Sequence, residues 1–291
     1  MKDIQMDTIT LSARAKVNFT LAVLGRRADG YHTVDSLMHS VTLADAVTLA
    51  PADGLSLTVD GAAPAGADNL AWRAAALFLE TVRPPFRGAR IHLVKRIPSE
   101  AGLGGGSSDA AAVLRGLNRL AGQPLSMDAL CVMGARLGAD VPFCVRGGCA
   151  RASGIGTDLA PLAPWEGLSL LLVKPEASVS TAAAYRAVDE KGPAPERTGE
   201  EAAAALREKD AARLADALYN SFEDALFPGH PVLADTAAEL RAYGPALMTG
   251  SGAAFFLLLG GAAREAAKTA LRVRHPAWFV AEAETCGEET L

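Results

Sequence analysis

The chain has 291 residues, half of them hydrophobic and 21% charged, with a formal net charge of -5, which is apolar material for one large or two moderate cores. Its longest apolar runs, 168–173 and 253–259, fall well short of the roughly 20 residues that cross a bilayer, and the first ten residues carry no secretory pattern. No membrane association is therefore expected, a cytoplasmic location follows, and the acidic balance with scattered basic residues excludes a general nucleic-acid binder.

Residues 12–23 alternate, with Ala13, Ala15, Val17, Phe19, Leu21 and Val23 on one face and Lys16, Asn18 and Thr20 on the other. That is the period of a strand with one polar face. Turn formers fill 25–30 and apolar alternation resumes at Val34, so a hairpin-like reversal is expected, with Tyr31 and His32 just beyond the turn. Further strands are expected over 46–50, 55–59 and 91–97. Helical periodicity covers 69–82. It returns after a glycine run, where Ala110, Val113, Leu114, Leu117 and Ala121 form one stripe, and a third helix spans 127–137 and stops at Gly138. The second half opens on a buried strand at 168–173, continues through helical segments and holds later strands near 253–259 and 278–283. The layout is α+β. The proline- and glycine-rich stretch 154–167 places a domain break near residue 165, separating 1–165 from 166–291. A second loop, 191–199, has little to bury and is expected to be mobile.

Cys131, Cys144, Cys149 and Cys286 lack the C-x-x-C spacing of zinc or redox sites, and the five histidines show no pairing that puts two on one helical face. No transition-metal site is expected. The strongest chemical signal is Pro98-Ser-Glu-Ala-Gly-Leu-Gly-Gly-Gly-Ser-Ser-Asp109, set between an expected strand and an expected helix. Its glycines leave backbone amides open to a ligand, and Ser107 and Ser108 fall where unpaired helix N–H groups and the positive end of the helix dipole converge. This is an anion cradle; the bland alternative, a flexible Gly-Ser linker, is seldom flanked directly by a strand and a long amphipathic helix. It is neither a Walker A loop, since no lysine follows the glycines, nor a dinucleotide-binding fingerprint.

The glycine run resembles the central phosphate loop of the GHMP kinases. Ala15-Lys-Val-Asn18 near the start and Thr249-Gly-Ser-Gly-Ala253 near the end agree with that family in order and spacing. Within it, Gly25-Arg-Arg-Ala-Asp-Gly-Tyr-His32 and Leu137-Gly-Ala-Asp-Val-Pro-Phe143, with Gly147 and Gly148, resemble the branch that acts on a cytidine-diphosphate-linked sugar alcohol. The resemblance implies an N-terminal domain like ribosomal protein S5 domain 2 and a ferredoxin-like C-terminal domain, with the site in the cleft between them. It implies transfer of the ATP γ-phosphate to the 2-hydroxyl of 4-diphosphocytidyl-2-C-methyl-D-erythritol, in the non-mevalonate isoprenoid route.

By that resemblance Asp140 takes the hydroxyl proton and Lys16 orients it and stabilises developing charge. The alternatives are a helix-capping aspartate and a solvated lysine. ATP falls to Pro98, Ala101, Gly102, Leu103, Gly104, Gly105, Gly106, Ser107 and Ser108, and to Asn69, which equally reads as a plain helix cap. The substrate falls to Asn18, Tyr31, His32, Thr181, Tyr185, Gly250, Ser251 and Gly252. Cytosine is expected between the Tyr31 and Tyr185 rings with His32 at its polar edge, although Tyr185 could instead be buried in its own domain and Tyr31 packed under the turn. Mg2+ accompanies ATP, with Ser108 the expected protein ligand and no metal site of the chain's own. A monomer or weak homodimer is expected. The rivals are another GHMP kinase, acting on mevalonate, homoserine or a sugar, and a ligand sensor that keeps the fold without catalysis.

Overall fold

β1 (Ile9–Arg26) and β2 (His32–Ala52) pair antiparallel, with register shifts between Arg14 and Lys16, Asn18 and Thr20, and Val23 and Gly25. In the computed structural model, which describes residues 8–192 and 198–289, this hairpin is the spine of a seven-stranded sheet. β3 (Ser56–Asp60) leads to α1 (Leu70–Val82), which Asn69 caps by accepting a hydrogen bond from Ala71 N. β4 (Gly88–Val94) joins the C-terminal part of β2 to β3. Three helices follow, α2 (Gly105–Leu120), α3 (Met127–Ala135) and α4 (Val141–Arg146), then the edge pair β5 (Cys149–Ser153) and β6 (Asp158–Leu162). β5 hydrogen-bonds to β2 around Met38.

The second sheet opens with β7 (Ser169–Lys174). After it come α5 (Thr181–Lys191), α6 (Glu200–Glu208), α7 (Ala211–Ala217), the two-residue β8 (Tyr219–Asn220), α8 (Ser221–Leu226) and α9 (Pro231–Arg241). β9 (Ala246–Met248), β10 (Phe255–Leu258), α10 (Gly261–Arg274) and β11 (Phe279–Glu284) complete the chain. The four strands are antiparallel in the order β11-β7-β10-β9, which is the ferredoxin-like arrangement of a split β-α-β pair. β8 returns to the first sheet and pairs parallel with β1 at Thr20 and Leu21.

One apolar layer ties the two sheets together. Ala15, Val17, Phe19 and Leu37 from the first sheet pack with Leu170, Leu172, Leu247 and Phe256 from the second. Phe19 meets Phe256 edge to face at 5.5 Å. The sheets are thus held face to face, so the cleft they frame has fixed walls.

The polar face of β1 is buried, with Lys16, Asn18 and Thr20 all shielded from solvent. The structure departs from the sequence expectation in several places. The alternations at Val34 and at 46–50 belong to one 21-residue strand, β2. Leu159 and its neighbours form β6 inside the stretch read as the domain boundary. α2 is buried almost all round from Ser108 to Asn118 rather than along one stripe. Of the loop expected to be mobile, residues 193–197 lie outside the described residues.

Candidate active site

Three segments far apart in sequence meet backbone to backbone. Lys16 N donates to Leu103 O at 3.0 Å, and Ala254 N donates to Ala101 O at 3.1 Å, so β1 and the run into β10 both grip the glycine loop. The approach is close enough that a Cβ on Gly102 would stand 2.1 Å from Thr249 O. Gly104, at φ 73°, is the N-cap of α2, a left-handed conformation that costs an L-residue roughly 1–2 kcal/mol. From there the helix starts, and its first N–H groups, lacking partners one turn back, open toward the cleft.

Lys16 lies where the segments cross. Its Nζ donates to Asn18 Oδ1 at 2.8 Å and is 3.4 Å from Asp140 Oδ2. A Cβ on Gly104 would stand 3.1 Å from its Cγ, and one on Gly250 would stand 3.2 Å from Nζ. Asn18 is held in turn: Oδ1 accepts from Thr249 Oγ1, and Nδ2 donates to Ser36 Oγ. This disposes of the solvated-lysine reading. Asp140 occupies the N-cap position of α4 but makes no side-chain capping bond, so its carboxylate answers to Lys16 and to the cleft instead.

The cleft has a volume of about 1140 Å³, above the usual ~300–1,000 Å³ of a single small-molecule site. Its lining takes in Asn69, Pro98 and the glycine loop, Tyr31, His32 and Tyr185, and Lys16, Asp140 and Gly250 to Gly252. Thr181 Oγ1 and Ser251 Oγ are 3.1 Å apart, bridging α5 to the second glycine segment.

Some assignments change. Ser108 does not line the cleft: its hydroxyl contacts the Arg14 and Gly104 carbonyls at 2.6 and 2.9 Å, so its side chain faces the protein interior, away from any phosphate-bound cation. Ser107 lines the cleft in its place. Asn69 serves as a cap and a loop tie, with Nδ2 donating to Pro64 O at 2.8 Å, while also bordering the cleft. Tyr31 does not pack under its turn but is 62% exposed. Tyr185 is not an open slab, because His32 covers its face at 4.5 Å with 19° between the rings, and Phe222 meets it edge on. Burial, with the nearby Asp140 carboxylate, pushes its hydroxyl up to about 12, so it stays protonated.

Sequence reasoning missed a buried ion cluster under the loop. Lys95 Nζ bonds to both Asp45 and Asp109, and Asp45 Oδ1 accepts from Ile97 N at 2.8 Å. Burial pushes the Asp109 carboxyl up to about 7 against the pull of Lys95. For Lys95, burial acts downward but the two carboxylates outweigh it and raise its pKa. These residues are brought together by strand register, which no short motif records. Among the described residues no group of three His, Cys, Asp or Glu side chains could hold a metal ion.

The site's composition has counterparts in known proteins. Residues 69–148 match the GHMP kinases N terminal domain and residues 202–275 the GHMP kinases C terminal. A 4-diphosphocytidyl-2-C-methyl-D-erythritol kinase of Moorella thermoacetica is 45% identical over 258 residues, covering 86% of this chain and 90% of its own. The chain belongs to the 4-diphosphocytidyl-2-C-methyl-D-erythritol kinase family. A crystal structure of 4-(cytidine 5'-diphospho)-2C-methyl-D-erythritol kinase superposes with a TM-score of 0.81 at 38% identity, over 96% of this chain and all of that one. Mevalonate kinase of L. major, solved with R-mevalonate, covers both chains fully at a TM-score of 0.74 but only 18% identity, which shows the shared α+β GHMP fold alone. The N-terminal match contains the glycine loop and Asp140, and the C-terminal match contains the second glycine segment. Lys16, Tyr31 and His32 precede both, so the family-level kinship, not the domain models, bears on them.

Proposed function

We propose that the protein transfers the γ-phosphoryl group of ATP to the 2-hydroxyl of 4-diphosphocytidyl-2-C-methyl-D-erythritol. The observation that carries this reading is the Lys16–Asp140 pair, lining the same cleft as an amide cradle and an exposed tyrosine. Phosphoryl transfer asks for in-line positioning and for positive charge around the transferred group more than for covalent chemistry. The first turn of α2 and Gly250 to Gly252 supply amides, and Lys16 supplies a buried cation whose direction Asn18 fixes. Asp140 is the carboxylate that takes the alcohol proton, oriented by Lys16 at 3.4 Å. Embedding the ammonium while leaving the carboxylate reachable lets the base meet a substrate without losing its partner.

ATP enters as its Mg2+ complex, and the oxygen donors of the cleft, Ser107 and Asp140, suit a cation carried chiefly by phosphate and water. When bound, that ion neutralises charge on the phosphates. Adenosine lies toward Asn69 and Pro98, and the cytidine toward Tyr31 and His32. We place the domain break near residue 165, between β6 and β7, and expect a cytoplasmic enzyme acting as a monomer or weak homodimer; among the described residues no helix is long and apolar enough to cross a membrane.

The test is ADP formation from ATP with the cytidine-linked substrate, mevalonate and homoserine in parallel. Turnover confined to the first supports the proposal. Equal turnover of mevalonate overturns the substrate assignment, and ligand binding without ADP release overturns the enzymatic one.

A further inference from the structure

Asp189 belongs to none of the sequence motifs, yet it grips a residue of the cleft. It stands four positions beyond Tyr185 on α5, one turn along the same helix face. Its Oδ1 is 2.6 Å from His32 Nε2, while the Tyr185 ring lies against the same imidazole at 4.5 Å. One helix face therefore fixes both the plane of the ring and the chemistry of one of its nitrogens. The other Asp189 oxygen is 3.7 Å from Arg26 Nη1, on the opposite side of the hairpin turn from His32. An ionised carboxylate only accepts hydrogen bonds, so Nε2 carries a proton. His32 Nδ1 has no protein partner among the described residues, and the residue lines the cleft next to exposed Tyr31.

We propose that Asp189 is a positioning residue for base recognition, which pins Nε2–H of His32 so that Nδ1 presents one fixed character to the pyrimidine and selects cytosine over uracil. The inference rests on reading Tyr31 and His32 as the base site. Cytosine and uracil differ by exchange of donor and acceptor at N3 and at the 4-position, so only a probe that cannot itself exchange the two tells them apart. An imidazole released from Asp189 can flip its ring or change tautomer and satisfy either base. A neutral ring held by Asp189 keeps its proton on Nε2, so Nδ1 accepts and suits the 4-amino donor of cytosine, where uracil places a carbonyl.

The experiment measures kcat and KM for ATP, for the cytidine-linked substrate and for its uridine-linked analogue in the wild type, Asp189→Ala, Asp189→Asn, His32→Ala and the double alanine variant. In Asp189→Ala, KM for the cytidine substrate should rise about tenfold, the loss of one well-aimed hydrogen bond. The preference for cytidine over uridine should fall by a similar factor. KM for ATP should stay within about twofold, the range left when a contact outside the nucleotide cradle is removed. Asp189→Asn keeps the shape but adds an amide donor that can meet an unprotonated Nε2, so it should keep KM for the cytidine substrate closer to wild type than Asp189→Ala while still losing part of the preference. The double variant should lose no more of the cytidine preference than His32→Ala, because that part of the effect of Asp189 passes through the ring. A preference unchanged in Asp189→Ala, or KM values for ATP and substrate rising together with a lowered Tm, would overturn the inference and leave the kinase reading standing. A wild-type protein inactive with both pyrimidine substrates would overturn both.

Discussion

Lys16 and Asp140 face each other at 3.4 Å, but the lysine side chain is 4% exposed and the aspartate side chain 41%. The asymmetry divides their labour. A buried ammonium that donates to Asn18 stays where it is, whereas the carboxylate can exchange water for a substrate hydroxyl. Asp140→Asn keeps the shape and removes the base, so kcat should fall by on the order of 10²–10⁴, the usual worth of a positioned base. ATP affinity, measured by calorimetry, should change little. A variant with more than about a tenth of wild-type kcat would remove Asp140 from that role.

The glycine loop is constrained on two sides, and the positions differ in what they tolerate. A Cβ on Gly105 would point at Ile97 Cγ2, 3.1 Å away, and so into the protein, whereas one on Gly104 would press on Lys16. Gly104→Ala also requires the left-handed φ of the helix N-cap, at roughly 1–2 kcal/mol. Its kcat/KM should drop at least tenfold, about 1.4 kcal/mol in the transition state, with Tm lowered by a few degrees. Wild-type kinetics in a folded Gly104→Ala would mean that Lys16 does not depend on the loop.

How much of this the sequence discloses depends on how local the interaction is. The glycine loop, Lys16, Asp140 and the second glycine segment are readable because each needs a particular residue at a short fixed spacing. Their meeting is not readable, since it follows from the Lys16–Leu103 and Ala254–Ala101 backbone bonds. The Asp45–Lys95–Asp109 cluster escapes because its members are joined by the β2–β4 pairing and the start of α2. β6 escapes for another reason: it is an edge strand pairing only with β5, largely exposed and carrying Pro161, and edge positions tolerate proline. The polar face of β1 is legible as a polar face, but a cleft and bulk water ask for the same residue types, so the alternation alone does not say which of the two it meets. The register shifts beside Lys16 and Asn18 leave no mark in the alternation.

Tyr31 projects into the cleft from the tip of the hairpin, anchored by its backbone: Arg27 N donates to Tyr31 O at 2.7 Å, and Tyr31 N donates to Asp29 Oδ1. The ring itself supports nothing. Tyr31→Ala should therefore leave Tm unchanged while raising KM for the cytidine substrate roughly tenfold, since a stacked base is worth ~1–3 kcal/mol. Tyr185 behaves in the opposite way, because it backs His32 and Phe222. Tyr185→Ala should lower Tm as well as substrate affinity. Equal loss for ATP and the cytidine substrate in Tyr31→Ala would place the base elsewhere.

The layer that joins the two sheets contains one titratable ring, and it sets a pH limit on the fold. His39 is fully buried, with Nδ1 3.0 Å from Ser40 O, Nε2 without a partner, and the Phe19 ring 6.0 Å away. Burial pulls its pKa from 6.5 down to about 4, against the raising effect of the Ser40 carbonyl. Between those values the unfolded chain binds a proton that the folded chain refuses, so stability rises with pH across the window and is lost as pH falls from about 6.5 toward 4. At ~1.4 kcal/mol per unit, the contribution is about 3 kcal/mol. Asp109 works in the other direction: its carboxyl, raised to about 7 chiefly by burial, binds a proton in the folded state that the unfolded chain releases. The wild-type profile is thus a partial cancellation, and only a difference isolates the histidine. Urea unfolding of the wild type and His39→Asn, whose Nδ2 can stand where Nδ1 donates to Ser40 O and which does not titrate, should give stabilities that diverge as pH falls from 7 to 4. The wild type should lose about 3 kcal/mol relative to the variant, with the steepest change between pH 6 and roughly 4.5. A difference that stays flat over that range would mean His39 takes up its proton inside the folded core.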